Sequence, residues 1–195
     1  MIAETVMRLR HEIGIPVDVA RRGPVPLDRF FAERNVAHIA LPGLTLGAVM
    51  QQLRGDGVPI EEFGNPDDRL AGFLFVAGRF GRAFVNADDI LPRRRFTAAH
   101  ELGHAVLHRE RMGRFVVDAT IGETDEATDE LEREANQFAA ELLMPEQTIR
   151  ARADEMWQSY RACPRLVLAY QLASELLVSR EAMRYRLRGL EVGDE

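Results

Sequence analysis

The run Phe96-Thr97-Ala98-Ala99-His100-Glu101-Leu102-Gly103-His104 constrains this chain more than any other segment, because it joins an apolar helical pattern to two histidines four residues apart. On an α-helix each residue turns about 100°, so His100 and His104 stack on one face, where two imidazole nitrogens can take adjacent corners of a tetrahedral metal site. Glu101 follows the first histidine and stands beside such a metal rather than on it, the position from which a carboxylate takes a proton from water. H-E-x-x-H also arises by chance, and alone it reads equally well as two surface histidines with a carboxylate partner. Its flanks favour the metal. Arg82 to Asn86 reads as a short strand, Pro92 as a break, and Thr97 as the cap of a helix running through Leu107. Ala98, Ala99, Leu102, Ala105, Val106 and Leu107 make that helix apolar enough to be buried, and buried histidines need partners.

A zinc site of this kind takes a third protein ligand and leaves the fourth position open. The stretch Thr128 to Met144 has helical periodicity, with Leu131, Ala135, Phe138 and Leu142 on one stripe and Pro145 ending it. Glu132 and Asn136 lie one turn apart along an edge of that stripe, whereas Glu134 sits about 200° round from Glu132 and is expected to face solvent. Glu132 is therefore the carboxylate aimed at the metal, unless it only pairs with Arg133 or another surface arginine. Asn136 is placed to hydrogen-bond a ligand histidine and fix its tautomer. His108 shares the face of His100 and His104, but eight residues of straight helix put it about 12 Å from His100, too far to complete the same site. It is left as a group behind the ligands, a substrate contact or a cation favoured by the helix end.

These two blocks, RFTAAHELGHAVLH and, within about thirty residues, EREANQFAAELLMP, closely resemble the ImmA/IrrE family of zinc metallopeptidases. The resemblance implies a gluzincin-like helix pair in which His100, His104 and Glu132 bind zinc and Glu101 is the catalytic base. It also implies a zincin-like domain. The activity implied is that of an endopeptidase that cleaves or otherwise inactivates a helix-turn-helix repressor of the phage or stress-response type. A rival reading keeps zinc as a scaffold and makes the protein a non-proteolytic regulator that binds a repressor or DNA. Candidates for stabilising the oxyanion are Tyr160, Tyr170, Tyr185, His108 and the arginines, with nothing in the spacing to choose among them.

Composition fits an enzyme of this type. At 195 residues, 46% of them hydrophobic and 29% charged, the chain can bury a proper core and is not disordered throughout. No apolar run has membrane-spanning length, and MIAETVMRLRHEIGIPVD reads as an amphipathic helix rather than a signal peptide. Cys163 alone can form no internal disulfide, and beside Pro164, far from the histidines, it is read as structural. These features together predict a cytoplasmic protein. All 25 basic residues are arginine, which suggests a high-GC bacterial genome.

Along the chain, Met1 to Ile13 and Pro26 to Asn35 read as helices, Val36 to Leu41 as a strand and Leu44 to Leu53 as a helix. The runs 72–76 and 83–86, separated by Gly78 and Gly81, form a hairpin. The predicted class is α+β, a small mixed or antiparallel sheet packed on helices. If Phe84 and Val85 lie on an edge strand above the metal, an extended peptide could add to the sheet there, although a buried hairpin strand would show the same residues. Arg109 to Ala127, with Gly113, Gly122 and an acidic run from Glu123 to Glu126, reads as a loop or a lid near the cleft. Residues 1–150 are assigned to the metallopeptidase-like domain and 151–195 to a helical segment packed on it. In that segment Leu166 to Leu176, Val178-Ser179 and Arg180 to Leu187 have a helix-turn-helix outline, with Arg180, Arg184, Arg186 and Arg188 on or near the second helix. The formal charge of −6 and the interspersed Glu175, Glu181 and Glu191 favour packing or protein docking over DNA binding.

Overall fold

A four-stranded mixed sheet in the order β1-β3-β2-β4 organises the chain. Its strands are β1 (Val36–Leu41), β2 (Gly72–Ala77), β3 (Phe80–Asn86) and β4 (Phe115–Asp118). Eight helices accompany it among the described residues: α1 (Ile2–Glu12), α2 (Leu27–Glu33), α3 (Leu46–Gly55), α4 (Leu91–Leu107), α5 (Glu126–Leu143), α6 (Glu146–Ser159), α7 (Arg165–Leu176) and α8 (Arg180–Gly189). The computed structural model describes residues 1–15, 23–110, 115–118, 126–159 and 164–193. Cys163, Tyr160 and most of the predicted lid, including Gly113, Gly122 and Glu123, lie outside the described residues.

β2 and β3 are joined by a two-residue turn in which Gly78 takes φ +59°, a left-handed conformation that costs glycine little. β1 runs parallel to β3, with Ile39 opposite Phe84, and α3 carries the chain over from β1 to β2. Both faces of the sheet are covered, which is why β2 reads as an unbroken apolar run rather than an alternation. Leu74, Val76, Ala83 and Val85 point into a core shared with α1, α2, α4, α5 and the C-terminal helices. Phe73, Phe75 and Phe84 point the other way, onto Leu46, Val49, Met50 and Leu53 of α3. Thr45 starts α3 by accepting a hydrogen bond from the Ala48 N–H at 3.2 Å.

The first core is continuous from Val6 of α1 to Val192 beyond α8, so residues on either side of position 150 share it, and α6 itself runs across that position. Val6 and Leu9 bury one stripe of α1, continued at helical spacing by Ile13 at its C-cap. Arg10, also buried, donates to the Leu142 carbonyl at 3.1 Å and satisfies one of the last acceptors of α5.

Three expectations are corrected. Helix α4 starts at Leu91 with Ile90 as its cap, and Thr97 lies buried within it. A proline lacks only an N–H that the first turn leaves unsatisfied anyway, so Pro92 begins this helix rather than breaking it. The strand carrying Phe84 and Val85 is not an edge, because β3 pairs with β1 on one side and β2 on the other. The span 109–127 is not all loop, since β4 lies in it and forms an edge of the sheet, antiparallel to β2.

Candidate metal centre

Helices α4 and α5 meet closely because Gly103 presents no side chain. A Cβ built there would lie 3.1 Å from Phe138 Cδ1 and 3.2 Å from Ala135 Cα. On α5, Ala135, Phe138 and Leu142 form the apolar stripe and are fully buried. That contact turns the edge bearing Glu132 and Asn136 toward the histidine face of α4.

His100 Nε2 and His104 Nε2 lie 3.0 Å apart. Glu132 completes the group, with one carboxylate oxygen 3.1 Å from His100 Nε2 and the other 3.2 Å from His104 Nε2. The three ligand atoms all lie within 4.8 Å of one another, so this cluster could hold a metal ion. Nitrogens at the usual zinc distance of about 2.0–2.1 Å stand roughly 3.4 Å apart on a tetrahedron. Two imidazoles and one carboxylate at the observed separations therefore fit a small ion of that kind. His100 and His104 are buried, while the Glu132 side chain is 29% exposed, so the cluster opens on the α5 side.

The protonation states suit ligation. Burial lowers the pKa of His104 below its ordinary value of 6.5, outweighing the hydrogen bond to Glu132, which acts the other way. For Glu132, burial alone would raise the pKa. The hydrogen bonds and charges of His100 and His104 overcome that and hold the carboxyl well below the usual range. Near neutral pH, His104 is thus held as a neutral imidazole and Glu132 as a carboxylate, the forms that bind metals.

Behind the cluster, Asn136 Oδ1 lies 3.0 Å from His100 Nδ1. His108 is the residue that closes α4 and is 1% exposed, so its ring faces the protein rather than solvent. Its Nδ1 is 3.0 Å from His104 Nδ1 and its Nε2 is 2.9 Å from Glu134 Oε2. Glu134 therefore does not simply face solvent as expected. The angle of about 200° from Glu132 was right, but a glutamate side chain is long enough to reach His108, which stands one turn beyond His104.

Glu101 is completely buried against the start of β2. A Cβ on Gly72 would come 2.2 Å from Glu101 Oε1 and 2.6 Å from the Thr97 methyl, so glycine there makes room for the carboxylate. Gly72 went unread in the sequence, although a glycine opening an otherwise apolar strand is the signature of a close approach. Tyr170 and Tyr185, offered as oxyanion partners, lie exposed on α7 and α8. Tyr170 is engaged by Arg180, through a hydrogen bond to its hydroxyl and a guanidinium 4.7 Å from its ring centre.

The C-terminal helix pair has the expected outline, with Ser179 capping α8 through the Ala182 N–H at 3.0 Å. Its arginines are not all presented outward. Arg186 forms two hydrogen bonds to Glu141, at 2.9 and 2.6 Å, and one to the Met144 carbonyl at 3.1 Å, tying α8 to the end of α5. Among the described residues, no helix is long and apolar enough to cross a membrane.

A family model described as the IrrE N-terminal-like domain matches residues 57–188, a span that includes the hairpin, α4, α5 and all but the last residue of the C-terminal helix pair. An "Uncharacterized immunity region protein 2" of Bacillus phage phi105 is 34% identical over 82 residues, covering 42% of this chain and 49% of that protein. The chain thus spans about half the length of this curated relative.

Proposed function

The chain belongs to the IrrE N-terminal-like domain family, a peptidase family, and on that premise we propose that it is a zinc-dependent endopeptidase whose substrate is a helix-turn-helix repressor. The observation that carries this reading is the meeting of two imidazole Nε2 atoms and the Glu132 carboxylate, on a helix where the buried Glu101 directly follows the first histidine. His100, His104 and Glu132 would hold the zinc, and Asn136 would keep His100 oriented by accepting its Nδ1 proton. When bound, zinc supplies a Lewis acid that makes water acidic near neutral pH and polarises a carbonyl. The Glu101 carboxylate takes a proton from the attacking water and returns it to the nitrogen of the leaving amine. Three protein ligands and a neighbouring carboxylate are what catalysis needs; a purely structural zinc is more often closed by a fourth protein ligand.

The substrate backbone pairs with β4. This strand is a sheet edge, and its Asp118 stands opposite Gly72, the residue against which Glu101 packs. A peptide would add to the free edge of β4 by backbone hydrogen bonds, with β4 between it and β2. The name of the phage relative, an immunity region protein, supports a substrate among the regulators of such regions.

The test compares the native protein with Glu101→Gln for zinc content and for cleavage of a helix-turn-helix repressor encoded beside it. Both proteins should bind about one zinc per chain. Cleavage by the variant should fall by about 10²–10⁴-fold, the usual contribution of a general base. A variant that relieves repression as well as the native protein, with no cleavage product from either, would make the protein a binding antagonist with zinc as its scaffold.

A further inference from the structure

The two histidines of the cluster are supported differently from behind. His100 meets a neutral amide, Asn136. His104 meets a second imidazole, and that imidazole meets a carboxylate: His104 Nδ1 to His108 Nδ1 is 3.0 Å, and His108 Nε2 to Glu134 Oε2 is 2.9 Å. Ligation through His104 Nε2, as read above, sets where the protons sit. A carboxylate only accepts, so His108 donates from Nε2. A metal ligand needs its lone pair on Nε2, the atom that faces His100 and Glu132, so the His104 proton sits on Nδ1 and is donated to His108 Nδ1. The reverse polarity, with His108 donating from Nδ1, would put the His104 proton on Nε2 and block that face.

We infer that Glu134 and His108 form a positioning relay that fixes the tautomer and ring orientation of His104, with His108 buried between them. The inference deepens the metallopeptidase reading above and rests on it. Neither residue touches the metal cluster's ligand atoms; they act through His104. His108 is suited to the position because its backbone N–H also bonds to the His104 carbonyl at 2.9 Å, anchoring the ring over the helix end.

The test is zinc affinity, measured by competition with a chelator on the full chain, together with the melting temperature of the metal-free protein. Replacing His108 by Leu should weaken zinc binding by about 10–100-fold, the range found when such supporting partners are removed. His108→Asn, which can offer an acceptor oxygen near the position of Nδ1, should recover most of the loss. Glu134→Ala should fall between them. The imidazole ¹⁵N spectrum of the zinc-loaded native protein should show His108 protonated on Nε2 and His104 on Nδ1. Native affinity in His108→Leu, equal losses in the Leu and Asn variants, or a proton on Nδ1 of His108 would each overturn the relay. Native protein that binds zinc but cuts no repressor would overturn the peptidase reading and leave the relay to be judged on affinity; native protein that binds no zinc would overturn both.

Discussion

Two helix pairs in this molecule look alike in outline and differ in what they bury. Helices α7 and α8 pack through Leu168, Leu172, Met183 and Leu187, all fully buried, and carry their polar groups outward or into ties with other elements. Helices α4 and α5 also meet through an apolar stripe, but His100, Glu101, His104 and His108 are buried along with it. Burying that many ionisable groups is costly unless they hold one another or an ion. The contrast teaches that a helix-turn-helix outline studded with arginines says less about function than a helix that keeps histidines where leucines would be cheaper.

The sharpest way to break the comparison is at Gly72. Ala there drives a methyl to within 2.2 Å of Glu101 Oε1, so the carboxylate must move while the three ligands stay in place. We expect turnover to fall by about 100-fold, the effect of misplacing a reacting group by about 1 Å, with zinc content unchanged. Turnover and metal content measured on the same preparation check this. Gly103 comes next. Val at this position meets Phe138 and the backbone of Ala135, and should destabilise the fold by about 3 kcal/mol and weaken zinc binding with it. Thermal melts with and without zinc would show both losses, and a loss confined to the metal-free protein would mean that α4 and α5 are held by the ion rather than by their packing.

A smaller effect belongs to the other helix pair. Arg186→Ala leaves Glu141 and the Met144 carbonyl without their guanidinium and should cost about 1.5 kcal/mol in a denaturant titration, with turnover of the folded protein unchanged. A drop in turnover would show that α8 communicates with the metal site. The mildest perturbation is acid. His104 titrates below 6.5 in the folded protein, so the unfolded chain binds the extra proton first, and stability present above about pH 6.5 is lost as pH falls. Glu132, also lowered, acts in the same direction below its ordinary 4.5. The melting temperature of the metal-free protein should therefore decline on acidification, and less so in His104→Ala.

Periodicity made much of this legible. The spacing of His100 and His104, and the stripe from Leu131 to Leu142, depend only on 3.6 residues per turn, and so did the turning of Glu132 and Asn136 toward the histidines. What could not be read was pairing. Nothing local in Phe84 and Val85 distinguishes a central strand from an edge, because that depends on β1, more than forty residues earlier, and on β4, a four-residue strand in a stretch rich in turn signals. Thr97 was a sound cap by residue type, but Pro92 had already begun the helix. Glu134 was misjudged because helical angle locates a Cβ and not the end of a long side chain.

The parallel pairing of β1 with β3 has a practical consequence for anyone trimming this chain. A fragment cut to residues 57–188, the span of the family match, keeps the metal-binding helices but discards α1, α2, β1 and α3. Its β3 would then expose a row of unpaired backbone donors and acceptors along the six residues Gly81 to Asn86, next to apolar faces that α1, α2 and α3 no longer cover. Such an edge recruits other strands, so the fragment should come out of the cell as aggregate, while the same cut made before Ile2 should not.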